Sequence, residues 1–452
     1  MKREDGSQNA ARDWQGRIHE TSDRLAPGET AQLEGPVGNP EELVYQLVAQ
    51  LNGNPGKPLE AFFAKDRQEG WIGIGTSDEF VQKQGTSFNE AMTAMEAWRV
   101  ALPKKSKAFF SIPFDLEDTR PAAEWQGFLG VQAVVPSLLL HINVDGVRLT
   151  QFDDQKFSWS AFAQKDKGDA TACSLRVTKS QTAPTKLQWL TWIADLRALF
   201  RRGAMKKVVA ARRLVLGVER PIAPIDLLPR HKEKSGFFFF WQRETTCFTG
   251  QSPELLCDFQ GEEMCTEALA GTLPRSPSPE EDQRRKEQLL GSAKDLHEQS
   301  VVADFLEERL GTYGRVSQAG IEIRTLEHLL HLQSRFRVRL HTFPSAGVVG
   351  VVHPTPAVSG FPQQDAMAYL RENEPFHRGL YAGALGVMSS RETLACVGIR
   401  SLLSRGCEVF LHTGAGIVAG SEPNAEWDEI EHKTRPLLEI FSKKEKDKQG
   451  EP

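Results

Sequence analysis

The stretch GAGIVAGSEPNAEWDEIEHK, residues 414–433, sets Glu426, Glu429 and Lys433 at steps of three and four. On a helix such steps share one face. Two carboxylates on one face can hold a hard cation such as Mg²⁺, which prefers oxygen ligands and keeps some of its water. The same spacing also describes a solvated charged helix, and the segment alone leaves both readings open. Glu431 and Asp428 point elsewhere. A third carboxylate, Glu298, falls on the apolar stripe marked by Val301, Val302, Phe305 and Leu310. An ionised carboxylate on a core-facing stripe is expensive unless paired or metal-bound. Its alternative is an ordinary surface pair with Lys294 at i,i+4.

Other residues offer acid–base or anion-binding chemistry. Lys207 opens the otherwise apolar run KVVAA, where burial would favour a neutral amine. A strand-edge lysine reaching solvent is the other reading. Glu254, in SPELL, follows Pro253 at a turn from which a side chain can project into a cleft. Arg400 ends TLACVGIR, where a guanidinium can grip a carboxylate bidentately. Gly414 and Gly416 could let backbone N–H groups approach an anion, or simply make a tight turn. His328 and His331 share one face of a helix expected over TLEHLLHLQSRF, and no third ligand accompanies them, which rejects zinc.

These groups need a scaffold, and the chain changes character once. Residues 1–40 are polar, without sustained period, and read as a mobile tail. Residues 41–200 form a β-rich part of the same globular unit. Within them short apolar runs such as AFFAKDRQEGWIGIG alternate with turns, and VDGV (144–147) signals a hairpin. The amphipathic KLQWLTWIADLRALF (186–200) is the clear helix there. Residues 201–442 hold nearly all the special residues. KKVVAARRLVLGV (206–218) reads as a strand, SGFFFFWQRETTCFTGQSPELLCDF (235–259) as a hairpin buried on both faces at its phenylalanines, and about 279–311 as one long helix after SPSP. A helix near 363–372, strands around 382–400 and 408–419, and a last helix from Asn424 follow. Residues 443–452 read as a solvated tail. The pattern predicts an α+β fold with large, mainly antiparallel sheets flanked by helices.

Composition narrows the partners. With 452 residues, 40% hydrophobic, 25% charged and a net charge of −5, the chain reads as a soluble globular protein. The acidic balance argues against nucleic acid or an anionic membrane, so an anionic ligand must meet local cations or a metal. Cys173, Cys247, Cys257, Cys265, Cys396 and Cys407 show no CxxC spacing and are expected as reduced, mostly buried thiols. The charged N-terminus lacks an apolar h-region, and the most apolar stretch, 128–144, is interrupted by Gln132, Pro136, His141 and Asn143. Together these predict a cytoplasmic protein.

In combination the motifs are similar to a known family. KVVAAR (207–212), FTGQSPELL (248–256), EALAGTLPR (267–275), LLGSAKDLHEQSVV (289–302), HPTPAVSGFP (353–362), EPFHRGLYAGALG (374–386), VGIRS (397–401) and 414–433 occur in one order. That order resembles the chorismate-utilising enzymes, which include isochorismate, salicylate, anthranilate and aminodeoxychorismate synthases. The resemblance implies their large α+β fold. It implies that Lys207 activates water, that Glu254 protonates the departing hydroxyl, and that Glu298 and Glu429, with Glu426, bind Mg²⁺. It also implies substrate contacts from Gly271, Thr272, His328, Ala357, Arg400, Gly416 and Lys433.

Within that family the lysine in KVV and the segment HPTPAVSGFP look like the isochorismate-forming branch. The implied reaction takes chorismate to isochorismate, adding water at one ring position and losing hydroxyl at another. A salicylate synthase, which adds pyruvate elimination, and a non-catalytic chorismate-binding paralogue are the alternatives. The product could feed menaquinone, siderophore or salicylate synthesis, in a monomer or weak dimer. His412 and Thr413, where the family has small or aromatic residues, and His331, where threonine is common, are departures that bear on the pocket.

Overall fold

The computed structural model describes residues 4–51, 57–155, 175–203, 205–222 and 235–441. Its organising strand is Phe237–Arg243, where the four phenylalanines divide between two cores. Phe237 and Phe239 join Phe62, Trp241 and Phe248 in the main core, whereas Phe238 and Phe240 join Val44, Leu47 and Phe63 in a second. Alternation of side chains across a strand buries both faces at once.

Among the described residues the chain builds two sheets, of twelve and ten strands. The larger runs in the order Thr30–Glu34, Gly146–Gln151, Leu138–Asn143, Glu69–Ile74, Leu59–Ala64, Phe237–Arg243, Thr246–Ser252, Ser401–Arg405, Glu408–Val418, Lys207–Val218 and Gly360–Phe361. Val177–Ala183 also pairs with Lys207–Val218. The smaller runs Gly314–Gln318, Leu329–Leu340, Glu263–Pro274, Leu255–Gln260, Glu392–Val397, Ala384–Met388, Ala108–Ile112, Val131–Val135 and Asp78–Gln82, with Glu322–Thr325 beside Leu329–Leu340. Thr246–Ser252 pairs antiparallel with Ser401–Arg405 in the larger sheet, and their continuations, Leu255–Gln260 and Glu392–Val397, pair antiparallel in the smaller. A two-stranded ribbon therefore passes from one sheet into the other. Backbone bonds stitch it at the crossing, from Gln251 N–H to the Arg400 carbonyl and from Val397 N–H to the Glu254 carbonyl.

Several expectations meet a different structure. The N-terminal segment expected as a mobile tail contains the helix Glu4–Arg24 and the strand Thr30–Glu34, which pairs with Gly146–Gln151. Trp14, Ile18 and Leu25 are buried against the second core, a sparse stripe that suffices to dock a polar helix. The single helix expected over about 279–311 is two, Pro279–Gly291 and Ala293–Gly311. Ser292 takes extended φ/ψ between them, and its hydroxyl accepts the Asp295 N–H as an N-cap. TLEHLLHLQSRF is not helical: Leu329–Leu340 is a strand, with Phe336, Val338 and Leu340 facing the core and Arg335, Arg337 and Arg339 exposed. VDGV makes its hairpin, with Asn143 opposite Gly146. Lys186–Arg201 is helical, burying Trp189, Ile193 and Leu196. Cys173 and the tail 443–452 lie outside the described residues, where Cys247, Cys257 and Cys396 are buried free thiols and Cys407 is exposed.

Candidate active site

Where the ribbon crosses, Glu254 and Arg400 occupy the two connections between sheets. Both line one small cavity of about 80 Å³. Arg400 holds φ at +53°, a left-handed conformation that a side chain with a Cβ rarely adopts. Helix Ala293–Gly311 brings Glu298 to the cavity, and helix Pro423–Leu438 brings Glu429 and Lys433. Gly414 and Gly416 enter from strand Glu408–Val418.

Lys207 lies just behind this lining. It begins the strand Lys207–Val218, opposite Val418 and Phe361, and is completely buried. Its Nζ stands 3.0 Å from Glu298 Oε1. The approach makes an ion pair but is poorly aligned for a hydrogen bond, so the buried nitrogen has no directed acceptor among the described residues. Gly416 makes room for the pair: a Cβ there would stand 2.0 Å from Glu298 Oε1 and 3.1 Å from Lys207 Cε. Burial alone would raise the Glu298 pKa, but Lys207, Lys294 and Lys433 outweigh it and hold the carboxylate below its ordinary range.

Glu254 faces the cavity from the connection between the sheets and behaves oppositely. Burial, then the charge of Glu267, pushes its pKa up to about 8, against the opposing pull of Lys207, Lys433 and Arg324. At neutral pH it therefore holds a proton. A protonated acid and an anionic carboxylate beside a lysine thus line one cavity.

The remaining carboxylates are each turned to a lysine. Glu429 Oε1 lies 2.6 Å from Lys433 Nζ, which also donates to the Gly414 carbonyl at 2.9 Å. Glu426, buried just outside the cavity, meets Lys294 Nζ. Lys294 thus reaches across to the C-terminal helix, and the alternative of a Lys294–Glu298 surface pair fails. Burial and the Glu429 charge lift the Glu426 pKa to about 7. Among the described residues no three histidine, cysteine or carboxylate side chains are already gathered as a metal cage. The donor set still fits a hard dication: Glu298, Glu429 and Glu426 offer only oxygens, Glu429 repels Glu426, and all three carboxylates act on the one ammonium of Lys294.

The expected substrate contacts divide. Gly271, Thr272, Ala357, Arg400, Gly416 and Lys433 all line the cavity. Gly271 and Thr272 do so through an irregularity in strand Glu263–Pro274, where register shifts between Ala270 and Thr272 and Gly271 takes φ +72°. His328 does not: it is exposed in the turn before Leu329–Leu340. His331 occupies the site instead. Its Nδ1 contacts the Gly271 carbonyl at 3.3 Å and Thr272 Oγ1 at 3.0 Å. Burial and the cations Arg400 and Lys433 push its pKa well down, so the ring is neutral. With Nδ1 donating to Gly271, the buried Nε2, which has no hydrogen-bond partner among the described residues, is an acceptor. Tyr381, His412 and Thr413 also line the cavity, with His412 stacked on Tyr381 at 5.1 Å. His412 and Thr413 had drawn notice as departures; Tyr381 carried no signal beyond its motif.

The sequence profile described as "chorismate binding enzyme" matches residues 44–442. Isochorismate synthase MenF of Haemophilus influenzae is 35% identical over 259 residues, covering 56% of this chain and 60% of its own length, less than two thirds. Isochorismate synthase MenF of Pasteurella multocida is 33% identical over 331 residues, covering 68% of this chain and 75% of its own. The solved structure of MenF, the menaquinone-specific isochorismate synthase from Escherichia coli, superposes with a TM-score of 0.77 over 96% of this chain and 100% of that one. At 21% identity that likeness speaks for the fold.

Proposed function

The chain belongs to the chorismate binding enzymes, and we propose that it is an isochorismate synthase acting on chorismate. One observation carries the reading most directly: a buried Glu254 that keeps its proton to about pH 8 lines the same cavity as Glu298, the partner of Lys207. Water addition at one ring position needs a base, and loss of hydroxyl at another needs an acid. Lys207 takes the proton from the attacking water, and Glu254 delivers one to the departing hydroxyl. Water is consumed and released, so the net reaction is an isomerisation.

Chorismate carries two carboxylates. Arg400 and Lys433 are the cations of this chain that line the cavity to meet them. His331 Nε2 offers an acceptor for a ring hydroxyl. Glu298 and Glu429, with Glu426, would hold Mg²⁺, which supplies positive charge for a substrate carboxylate and for charge that develops as the hydroxyl departs. Glu298, the present partner of Lys207, would then be shared with the metal.

Cytoplasmic action as a monomer or weak dimer goes with this reading; no helix among the described residues is long and apolar enough to cross a membrane. Product analysis after incubation with chorismate, with and without Mg²⁺, tests the reading. Isochorismate, formed only with the metal, is expected. Salicylate and pyruvate in equal amounts would make the chain a salicylate synthase, and no turnover despite ligand binding would make it a non-catalytic paralogue.

A further inference from the structure

A second buried carboxyl group, Glu267 on strand Glu263–Pro274, lies behind Glu254. Its Oε1 accepts the N–H of Leu255, the residue after Glu254, at 2.8 Å. Gln333 Nε2 donates to its Oε2, and Arg324 Nη1 reaches both oxygens at 3.4 and 3.3 Å. The Glu254 carboxyl makes no comparable bond to another side chain among the described residues. Two neighbouring buried carboxyl groups do not both ionise readily, and the charge settles where the donors are.

We propose that Glu254 and Glu267 form one dyad, in which Arg324, Gln333 and the Leu255 N–H fix the negative charge on Glu267 and thereby leave the proton on Glu254. Glu267 and Arg324 are then positioning residues: neither lines the substrate cavity, and both act through the acid. The dyad deepens the isochorismate synthase reading and rests on Glu254 being its acid. Other groups facing the pair are accounted for. Lys207 from its strand, Lys433 from the C-terminal helix and Arg324 favour an ionised Glu254, while Glu267 opposes it. Tyr381 and Cys396 also feel Glu254, Arg335 faces Glu267, and Arg400 lines the same cavity. Burial raises the pKa of Glu267 as well, but only Glu267 has donors aimed at both oxygens.

The test is the pH profile of kcat/KM for chorismate in the full-length enzyme, comparing wild type, Glu254→Gln and Glu267→Gln. The Glu267→Gln amide oxygen can still accept the Leu255 N–H, and Gln333 can turn its amide to accept from the new –NH2, so the contact beside Glu254 is kept while the charge is lost. Its alkaline limb is expected to move to lower pH by about one unit, a roughly tenfold loss at about pH 8.5 with little change near pH 6. A uniform loss at every pH, with the limb unmoved, would overturn the dyad and leave Glu267 a structural residue. Turnover of Glu254→Gln at the wild-type rate would instead refute the acid assignment beneath it. Should Glu267→Gln not fold, infrared spectra of the wild type at neutral pH decide. A protonated-carboxyl band lost in Glu254→Gln supports the dyad, and its absence from the wild type refutes it.

Discussion

Lys207 Nζ and Glu298 Oε1 stand 3.0 Å apart, joining the first residue of a strand to the middle of a helix. The residue proposed as base and a residue proposed for the metal therefore occupy each other in this state. Under the isochorismate synthase proposal this one contact joins the general base to the residues that would hold the metal.

Lys207→Ala is expected to lower kcat by about a thousandfold or more while leaving substrate binding near wild type. Steady-state kinetics together with calorimetric binding of chorismate check this. An affinity loss as large as the rate loss would count against the role of base.

Gly416→Ala places a methyl group 2.0 Å from Glu298 Oε1 and 3.1 Å from Lys207 Cε. Glu298 must swing away, so activity should fall by about a hundredfold or more at unchanged Mg²⁺ concentration. Circular dichroism should still show a folded chain. Wild-type kinetics in this variant would mean that the Lys207–Glu298 arrangement does not govern the reaction.

Glu429→Gln should shift the Mg²⁺ activation curve to about tenfold or higher concentration, because one charged oxygen donor becomes a neutral one. The measurement is activity against free Mg²⁺, paired with direct metal binding. Superimposable curves would remove Glu429 from the metal site.

Glu254 predicts two pH effects of fixed sign. As an acid it must be protonated, so kcat/KM should decline above about pH 8. For stability, its folded pKa is raised above the unfolded value of 4.5, so the protonated group's contribution is fully present below 4.5 and is lost as pH rises through about 8. Urea unfolding of Glu254→Gln between those limits should show a flatter pH dependence than wild type. Parallel stability curves would contradict the buried proton.

Arg378 supplies a stability test away from the chemistry. Its buried guanidinium grips both oxygens of Glu374 and donates to the carbonyls of Val209 and Val358. Arg378→Met strands the buried Glu374 carboxylate and should destabilise the fold by about 3–5 kcal/mol. Denaturant melts check it, and a change below about 1 kcal/mol would mean that solvent reaches Glu374 readily.

How far the sequence reaches is visible residue by residue. Glu254, Arg400 and Gly416 were legible because local turns and ordered motifs fix where such residues stand. Helical spacing left Glu298 undecided between the core and a pair with Lys294. The true partner of Lys294 is Glu426, 132 residues away, a contact that local spacing cannot express. The helical period expected over TLEHLLHLQSRF puts His328 and His331 on one face and does not separate them, whereas the two-residue alternation of FRVRL at its end marks the strand in which His331 is buried. The docked N-terminal helix was missed because Trp14, Ile18 and Leu25 are few among polar residues. Glu267 looked like any acidic residue in a strand; its role depends on Arg324 and Gln333, which folding brings to it.

The ribbon that passes between the sheets has a consequence in time. Lys207 belongs to the larger sheet, Gly271 and His331 to the smaller, and Glu254 to the bridge between them. A refolding chain that has completed either sheet alone owns only fragments of a site. Recovered turnover in this protein is therefore expected to report the docking of the two sheets rather than the completion of either one.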